Sequence, residues 1–322
     1  MSRLKLFSLD AGADFGGRVA AALGEPLARH EERYFADGEH KVRPLDDVEG
    51  ADVFLVQSLY VDPHSSVDEK LLRSLFFIGA LRDAGAMRIT AVMPYLCYGR
   101  KDRRTNLRDP LPTRYLASLL EAVGAHTVVT LDAHNLSSFE NAFRCRTVHL
   151  LAESPLLDFA VPRLANETRP LVVLSPDEGG IKRAEKLRKA LGERLQRPIG
   201  RVFVEKYRRG EQLTGGTLVG KVAGAAVVIV DDLIASGATL CCAAGAAQRA
   251  GAERLLALAS HGQFSGDARN ELARLPLECL AVTNSLPQVN LPKNCELVDC
   301  APLVAEAIRR LHTAGPVSEL TI

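Results

Sequence analysis

Two adjacent carboxylates, Asp231 and Asp232, lie between an apolar run and a loop of small residues in segment 226–240, AVVIVDDLIASGATL. This pattern predicts a buried strand that ends at the carboxylates, a short loop and the start of a helix. Amides and hydroxyls at the start of a helix bind anions, whereas carboxylates repel phosphate and suit hydroxyls or a metal ion. A sugar phosphate satisfies both halves of the pattern. Taken alone, the segment is explained equally well by a capped helix beside two solvated aspartates.

Basic residues in two other segments are candidates for binding phosphate oxygens. Segment 93–103, MPYLCYGRKDR, contains Arg100 and Lys101, and guanidinium groups suit polyphosphates because they donate paired hydrogen bonds. Segment 205–216, EKYRRGEQLTGG, is rich in Lys, Arg and Gly. On residue types alone, a solvated loop and an exposed hairpin are the better interpretations of these two segments.

A histidine and two carboxylates are candidates for a metal site. His134 follows a predicted strand, with Asp132 two residues before it, and Asp177 follows another predicted strand in the second half of the chain. Mg²⁺ prefers carboxylate oxygens and keeps several waters, so few direct protein ligands are expected. An isolated histidine is more often structural than a metal ligand, so His134 is a candidate only in combination with Asp132 and Asp177.

The elements that position these residues alternate along the whole chain. Short β-branched runs and longer amphipathic stretches predict an α/β fold, with mostly parallel sheets flanked by helices. In such sheets ligands bind at the carboxyl ends of strands, which is where the candidate residues fall. Strands are predicted at 51–57, 89–94, 126–131, 171–174, 200–205, 225–230, 254–260 and 280–283, and helices at 69–84, 113–123, 180–191 and 237–250.

The bulk composition excludes several classes of function. A chain of 322 residues is long enough for two domains. Its 40 Lys and Arg balance 39 Asp and Glu, which argues against a nucleic-acid binder that acts through bulk positive charge. No apolar run approaches the length of a membrane span, and the N-terminus lacks the apolar stretch of a signal peptide. The seven cysteines form no CxxC pair, which favours reduced cysteines in a cytoplasmic protein over a zinc site.

The strand-D-D-x₃-S-G-x-T pattern resembles the PRPP-binding signature of the phosphoribosyltransferase superfamily, where PRPP is 5-phospho-α-D-ribose 1-diphosphate. The resemblance implies that Asp231 and Asp232 hold the ribose hydroxyls. The implied 5-phosphate site consists of Ala235, Ser236, Gly237, Ala238 and Thr239. Within that superfamily, the chain resembles the ribose-phosphate diphosphokinases, which transfer diphosphate from ATP to ribose 5-phosphate and release AMP and PRPP. Motifs of this family occur in order along the chain.

Matches in the N-terminal half imply an ATP site. Segments 35–39 (FADGE), 93–103 and 131–134 (LDAH) resemble the family's F-x-D-G-E, I-P-Y-x-x-Y-x-R-Q-D-R and D-L-H segments. The implied ATP-binding residues are Phe35, Asp37, Glu39, Arg100, Lys101, Asp102 and His134. Segment 175–180 (SPDEGG) resembles S-P-D-x-G-G, and this match implies that Asp177 and His134 are associated with Mg²⁺.

The resemblance also implies the catalytic loop and the domain organisation. Segment 205–216 resembles the family's flexible catalytic loop, so Lys206 and Arg208 are expected to stabilise charge on the transferred diphosphoryl group. Two phosphoribosyltransferase-like domains are expected, 1–152 with most of the ATP site and 153–317 with the ribose 5-phosphate site and the catalytic loop. The active site is expected between them, and the tail 318–322 is expected to pack on the first domain. The resemblance further implies a homo-oligomer, at least a dimer.

Three positions depart from the family pattern. Ala235 stands where many members carry an acidic residue, and Lys101 stands in place of a glutamine. The glutamine that follows His134 in members regulated by phosphate and ADP is absent, so such regulation is not implied. Two alternatives to the enzyme are a non-catalytic regulatory paralogue and a nucleobase phosphoribosyltransferase. The first would typically lose the Lys–Arg pair or the histidine, and the second needs only one such domain.

Overall fold

The computed structural model describes residues 2–209, 212–288 and 290–320, and the side chains of 208, 209 and 212–215 fall outside this description. The chain divides into two compact units. Unit 1 comprises Met1–Leu151, Ser285–Pro287 and Cys300–Ile322, and unit 2 comprises Ala152–Asn284 and Gln288–Asp299. Each unit is an α/β structure, which confirms the predicted fold class.

Unit 1 contains a five-stranded parallel sheet in the order β1-β4-β5-β6-β7 and a separate antiparallel hairpin, β2–β3. Every residue of β4 and β6 is buried, as expected for parallel strands covered on both faces. The strands are β1 (Leu4–Phe7), β2 (His30–Tyr34), β3 (His40–Pro44), β4 (Asp52–Val56), β5 (Arg88–Val92), β6 (Thr127–Leu131) and β7 (Arg146–Leu150). The helices are α1 (Ala13–Leu23), α2 (Val67–Asp83), α3 (Pro112–Val123) and α4 (Leu136–Ala142).

Unit 2 contains a seven-stranded sheet in the order β10-β9-β8-β11-β12-β13-β14. Its pairs are parallel except for the antiparallel hairpin β9–β10. The strands are β8 (Leu171–Ser175), β9 (Ile199–Arg209), β10 (Gln212–Val219), β11 (Ala226–Ile234), β12 (Arg254–Gly262), β13 (Cys279–Thr283) and β14 (Cys295–Val298). The helices are α5 (Glu153–Leu164), α6 (Ile181–Leu195), α7 (Ala238–Arg249) and α8 (Ala268–Ala273).

The last helix, α9 (Ala301–His312), belongs to unit 1. A buried aspartate of β4, Asp52, holds it in place, because His312 Nδ1 lies 2.8 Å from Asp52 Oδ2. Arg88 donates to Asp52 from Nε at 2.7 Å and also donates to the carbonyl oxygen of Leu311 at 3.0 Å. The compact units therefore differ from the predicted domains, which placed everything up to residue 317 in the second domain.

Two predicted element boundaries are wrong in the region of the candidate site. Strand β11 does not end before the carboxylates but continues to Ile234, because its parallel pairing with β12 extends beyond Asp231. Residue types favour an exposed hairpin for segment 205–216, whereas the family resemblance implies a loop. Strand β9, predicted to end at residue 205, continues to Arg209, and Lys206 pairs with Gly216 in the hairpin β9–β10. Both elements are longer than their apolar runs because main-chain hydrogen bonds, which periodicity does not reveal, continue past them.

Candidate functional site

The two carboxylates at the end of β11 share one cation. Arg183, in the first turn of α6, places Nη1 3.6 Å from Asp231 Oδ1 and 3.3 Å from Asp232 Oδ1. The side chain of Asp232 is 7% exposed and that of Asp231 is 15% exposed. Asp231 Oδ1 also accepts a hydrogen bond from the backbone N–H of Asp232 at 2.9 Å. Two adjacent carboxyl groups with little solvent contact thus lie near the same guanidinium group.

This arrangement makes ionisation of Asp231 unfavourable. Burial raises the pKa of Asp231, and the neighbouring charges of Asp232 and Asp177 raise it further, while Arg183 opposes the shift. A group that offers hydroxyl donors would relieve the repulsion, because ionised carboxylates accept hydrogen bonds and cannot donate them. The local chemistry therefore favours a polyhydroxyl ligand.

The loop between β11 and α7 presents backbone and hydroxyl groups at the start of the helix. Gly237 caps α7 with a φ of +78°, which is in the left-handed region, and a Cβ there would lie 3.3 Å from the side chain of Leu272. The backbone carbonyl of Ala235 accepts a hydrogen bond from the Ser265 N–H at 2.9 Å. Ser236 and Ala238 are exposed, and a phosphate would contact such a helix start through its free N–H groups.

Lys206 connects this loop to Asp177. Its Nζ lies 2.7 Å from Asp177 Oδ2 and donates to Thr239 Oγ1 at 3.0 Å. The Lys206 side chain is 8% exposed, so it is not the solvated hairpin lysine that residue types alone favour. Burial opposes ionisation of Asp177, but the ion pair with Lys206 outweighs it, and the pKa of Asp177 lies below its usual value. The structure therefore brings together three residues that the sequence analysis placed in separate motifs.

The turn between β8 and α6 fixes the direction of Asp177. Ser175 Oγ donates to the Asp177 carbonyl oxygen at 2.6 Å, and Asp177 Oδ1 accepts from the Gly180 N–H at 3.0 Å. A Cβ at residue 180 would lie 2.7 Å from Ser175 Oγ, which explains the glycine. These contacts leave the second carboxylate oxygen, Oδ2, directed at Lys206.

The predicted partner of Lys206 is only partly described. Arg208 lies in β9 opposite Leu213 of β10, and its side chain lies outside the described residues. Residues 210 and 211, at the centre of the predicted catalytic loop, also lie outside them. The catalytic role of Arg208 stays a prediction.

In unit 1 the basic loop after β5 is held by internal ion pairs and hydrogen bonds. Lys101 Nζ lies 2.7 Å from Asp109 Oδ2 and donates to Thr105 Oγ1 at 2.8 Å. Asp102 Oδ2 accepts from Asn135 Nδ2 at 2.6 Å, and this bond joins the basic loop to the loop that carries His134. Arg100 and His134 are both exposed. The structure thus brings the predicted phosphate-binding loop and the predicted histidine loop together within unit 1.

The remaining predicted nucleotide residues lie at the tip of the hairpin β2–β3. The Phe35 N–H donates to the Glu39 carbonyl oxygen at 2.9 Å, and the Glu39 N–H donates to Asp37 Oδ1 at 3.0 Å, which closes the turn. Phe35 is 42% exposed, although the guanidinium of Arg33 lies 5.4 Å from its ring centroid. An exposed aromatic ring on a closed turn can stack on a flat ligand.

Several charged residues next to these sites were not predicted from the sequence. Arg183 is one, and its position three residues after Gly180, in the first turn of a helix that follows a strand, is the signal that was available. A second group lies at the base of the hairpin, where Asp10, His30 and Glu32 bring three potential metal-ligating atoms within 4.8 Å of one another. No sequence motif predicts this group, because its three residues come from separate segments of the chain.

The residues around Asp177 fit a divalent cation in chemical type. Three interacting carboxyl groups, those of Asp177, Asp231 and Asp232, lie near the cations of Lys206 and Arg183. Carboxylate oxygens are the protein ligands that Mg²⁺ and Ca²⁺ prefer. A divalent metal requirement is consistent with this donor set.

Comparison with known proteins agrees with a sugar-phosphate site on this fold. Residues 4–124 match the family model described as the N-terminal domain of ribose phosphate pyrophosphokinase, and residues 208–321 match that of the phosphoribosyl synthetase-associated domain. The chain is 34% identical over 99% of its length to Ribose-phosphate pyrophosphokinase 1 of Streptococcus pyogenes, of which it covers 98%. It is also 34% identical over 99% of its length to Ribose-phosphate pyrophosphokinase of Listeria ivanovii, of which it covers 97%.

A solved structure shows the same architecture over nearly the whole chain. The phosphoribosylpyrophosphate synthetase of Mycobacterium smegmatis superposes with a TM-score of 0.89 at 30% identity, covering 98% of this chain and 100% of that one. The fold and the site define an α/β enzyme that acts on a phosphorylated sugar. The chain belongs to the ribose-phosphate pyrophosphokinase family, and it is an enzyme of PRPP synthesis. In the described part of the chain no helix is long and apolar enough to cross a membrane.

Proposed function

We propose that the chain transfers the diphosphoryl group of Mg·ATP to the 1-hydroxyl of ribose 5-phosphate, with unit 2 binding the sugar phosphate and unit 1 most of the nucleotide. One observation carries the proposal. Lys206 contacts both Asp177 and Thr239, and so links a carboxylate suited to a metal with the loop suited to the 5-phosphate. Its ammonium group can therefore interact with negative charge at either of these two places.

The sugar phosphate binds in two parts. Asp231 and Asp232 accept hydrogen bonds from the 2- and 3-hydroxyls, which replaces their mutual repulsion with favourable contacts. The backbone of Ala235, Ser236, Gly237 and Ala238 and the hydroxyl of Thr239 surround the 5-phosphate. Since Ala235 has no carboxylate, its contribution is limited to the backbone.

Catalysis rests on positioning and charge stabilisation. The ribose 1-hydroxyl attacks the β-phosphorus of ATP, the bond from this phosphorus to the oxygen of the α-phosphate breaks, and AMP leaves. Lys206 stabilises the negative charge that builds up on the transferred group, and we assign the same task to Arg208. Because Lys206 is already held by Asp177, little reorganisation is needed when the substrates arrive.

The nucleotide binds to exposed loops of unit 1. Phe35 stacks on the adenine, and the turn formed by Asp37 and Glu39 contributes hydrogen-bond acceptors to its edge. Arg100 contacts the phosphate oxygens, and His134 approaches the metal-bound nucleotide. Lys101 and Asp102 support this loop through Asp109 and Asn135, in addition to any contact with ATP.

Mg²⁺ is the metal that we propose, with Asp177 and His134 as the residues associated with it. When bound, the ion would neutralise charge on the phosphate oxygens. Asp177 would hold it mainly through water, because its two oxygens already accept bonds from Gly180 and Lys206. An exposed imidazole is a weaker partner for a hard cation, so His134 would act on the hydrated ion or the nucleotide.

We also propose that the chain forms a homo-oligomer, at least a dimer, in the cytoplasm, where its two substrates are metabolites. Two exposed apolar pairs on unit 1 support self-association: Leu72 and Phe76 lie one turn apart on α2, and Tyr115 and Leu119 lie one turn apart on α3. Apolar residues at this spacing form a stripe that buries well against another surface. Light scattering on wild type and Leu119→Glu would test this, and an unchanged mass at every concentration would contradict it.

The central experiment measures AMP release from ATP and Mg²⁺ with and without ribose 5-phosphate. Wild type should release AMP only with the sugar, and Lys206→Ala should lower kcat by about 10²- to 10³-fold, as loss of one charge-stabilising group does elsewhere. Lys221→Ala, which changes an exposed lysine of the same unit, is the matched control. Full activity in Lys206→Ala would contradict the assignment.

A further inference from the structure

The hairpin β2–β3 stands apart from the parallel sheet of unit 1. It forms its own two-stranded sheet, and its tip carries Phe35, Asp37 and Glu39. A two-stranded hairpin is at most marginally stable by itself in water. The position of the tip therefore depends on side-chain contacts with neighbouring elements.

A buried charge at the base of the hairpin supplies one such contact. The Glu32 side chain is 4% exposed, and its Oε1 accepts a hydrogen bond from the Asp10 N–H at 2.5 Å. His30 Nε2 lies 3.3 Å from the same oxygen. Arg73 of α2 places Nη1 4.0 Å from the other oxygen, Oε2, and is itself only 9% exposed. The hairpin base is thus joined through one carboxylate to the 3-10 turn at Asp10–Gly12, which follows β1, and to α2.

Two residues of α2 hold the hairpin immediately below its tip. Tyr34 and His40 are directly opposite each other in the last residue pair before the turn. The guanidinium of Arg73 lies 4.6 Å from the Tyr34 ring centroid, and the Phe76 ring stacks on His40 at 5.3 Å with an interplanar angle of 19°. Arg73 and Phe76 are three residues apart and so lie on the same face of the helix. Both strands are therefore held at the point from which the nucleotide residues project.

We propose that Arg73 is a positioning residue for ATP, acting through Glu32 and Tyr34 to place the hairpin tip. The inference rests on the proposed role of the tip in nucleotide binding. Arg73 combines two functions that a lysine cannot fully replace, since its planar group stacks on an aromatic ring while its N–H groups face a carboxylate. It does not touch the reacting atoms in this account, so it affects how well ATP binds rather than how fast diphosphate is transferred.

This role predicts a specific kinetic signature. Because the tip contacts the nucleotide equally in the ground state and the transition state, misplacing it should raise KM for ATP with little change in kcat. For Arg73→Met we expect about a tenfold rise in KM for ATP, with kcat and KM for ribose 5-phosphate within about twofold of wild type. Arg73→Lys keeps the charge and loses the planar stack, so its KM for ATP should lie between those of wild type and Arg73→Met.

A second variant keeps the test valid if Arg73→Met folds poorly. Tyr34→Leu removes the stacked ring while leaving the buried pair of Arg73 and Glu32 intact, and it should give the same selective rise in KM for ATP. Arg18→Met, which changes an exposed arginine of unit 1, is the control and should leave all three constants unchanged. Thermal melting of every variant separates a loss of folded protein from a change in binding.

The decisive experiment adds Phe35→Ala and its combination with Arg73→Met. If Arg73 acts through the tip, the double variant should raise KM for ATP by less than the product of the two single effects. If Phe35→Ala raises KM for ATP while Arg73→Met and Tyr34→Leu do not, the tip binds nucleotide and the positioning role of Arg73 is wrong. If Phe35→Ala has no effect, the proposed role of the tip itself fails. A lower kcat with unchanged KM in both Arg73→Met and Tyr34→Leu would show a purely structural role.

Discussion

Two buried carboxylate clusters, one in each unit, differ in how their charge is balanced. In unit 1, both oxygens of Asp52 accept from the Arg88 guanidinium, and His312 lies against one of them at 2.8 Å. In unit 2, the adjacent carboxylates of Asp231 and Asp232 both lie near Arg183, at 3.6 and 3.3 Å. The first cluster sets one carboxylate against a guanidinium and an imidazole, whereas the second brings two carboxylates to the same guanidinium.

We propose that the difference separates a cluster that stabilises the fold from one that binds a ligand. A charge-matched buried pair resists change, because removing one partner leaves the other without compensation. An unbalanced pair costs free energy in the unliganded chain and regains it when a ligand supplies hydrogen-bond donors. The balance of charge, rather than burial, therefore distinguishes the two roles in this chain.

The largest effect is expected where the balanced cluster is broken. Asp52→Asn removes the partner of Arg88, so the free energy of unfolding of unit 1 should fall by about 3 kcal/mol, at the lower end for buried pairs because Arg88 is partly exposed. Urea titration followed by circular dichroism measures this. Asp83→Asn, whose partner Arg82 is exposed, is the matched control and should change stability by less than about 0.5 kcal/mol. Equal effects of the two substitutions would contradict the comparison.

Breaking the unbalanced cluster should have the opposite effect on stability. Asp231→Asn removes a carboxyl group whose ionisation the folded chain disfavours, so the unfolding temperature of the ligand-free chain should rise. The same change should lower kcat/KM for ribose 5-phosphate by about 10- to 100-fold, since a hydrogen bond to a charged group contributes about 1.5–3 kcal/mol. Calorimetry and initial rates test both halves. Asp158→Asn, at an exposed site in unit 2, should change neither.

The pH dependence of this stability difference has a definite sign. Because the pKa of Asp231 is raised in the folded chain, the repulsion is present above that pKa and disappears as the pH falls and the group takes up a proton. The stability advantage of Asp231→Asn over wild type should therefore shrink as the pH falls from about 8 to about 5. Over this range the carboxyl group of the unfolded chain stays ionised, since it takes up a proton only near pH 4. An advantage that grows at low pH would contradict the account.

The sequence reveals the second cluster more readily than the first. Asp231 and Asp232 are adjacent, follow an apolar run and precede a loop of small residues, so residue types and spacing point to a ligand. Asp52, Arg88 and His312 are separated by 36 and 224 residues along the chain, and only the folded structure brings them together. For the same reason helix α9 was predicted in the second domain although it packs in unit 1.

The nucleotide side of the site was predicted from family resemblance rather than from residue chemistry. Phe35, Asp37 and Glu39 lie in a turn with neither a long apolar run nor a metal-like cluster, and the hairpin that carries them was not predicted. By contrast, the strands and helices with strong periodicity, such as β6 and α3, were predicted within about one residue of their ends. Short exposed strands escape prediction because their stability comes from tertiary contacts.

A smaller effect on the unit 2 site should follow from changing the loop glycine. Gly237→Ala places a Cβ on a left-handed backbone, which costs about 1–2 kcal/mol and shifts the helix start that faces the phosphate. KM for ribose 5-phosphate should rise about five- to tenfold, with KM for ATP unchanged. Gly224→Ala is the matched control, because Gly224 also has a positive φ of +70° but a Cβ there would lie no closer than 3.9 Å to a neighbouring atom, Glu253 Oε1. A similar rise in the control would assign the effect to stability alone.

The smallest effect is expected at a third cluster, at the base of the hairpin, where the carboxylates of Asp10 and Glu32 face the His30 imidazole and Arg73 Nη1 lies 4.0 Å from Glu32 Oε2. Two cations face two carboxylates when His30 is protonated, so this cluster is balanced. His30 also packs against Phe77. The hydrogen bond to Glu32 raises the pKa of His30 above its usual value, although burial opposes the shift. The stabilisation of the folded chain by the protonated His30 imidazole is thus fully present below about pH 6.5, and it is lost as the pH rises through the raised pKa. In acid, His30→Gln should lower the unfolding temperature and reduce the free energy of unfolding by less than about 1 kcal/mol. In alkali, its unfolding temperature should match that of wild type. Thermal melting in acid and in alkali tests this, with the exposed His64→Gln as control.

A stability difference between His30→Gln and wild type that does not change with pH would mean that His30 acts through packing rather than charge. The hairpin base would then not be a balanced ionic cluster like that of Asp52.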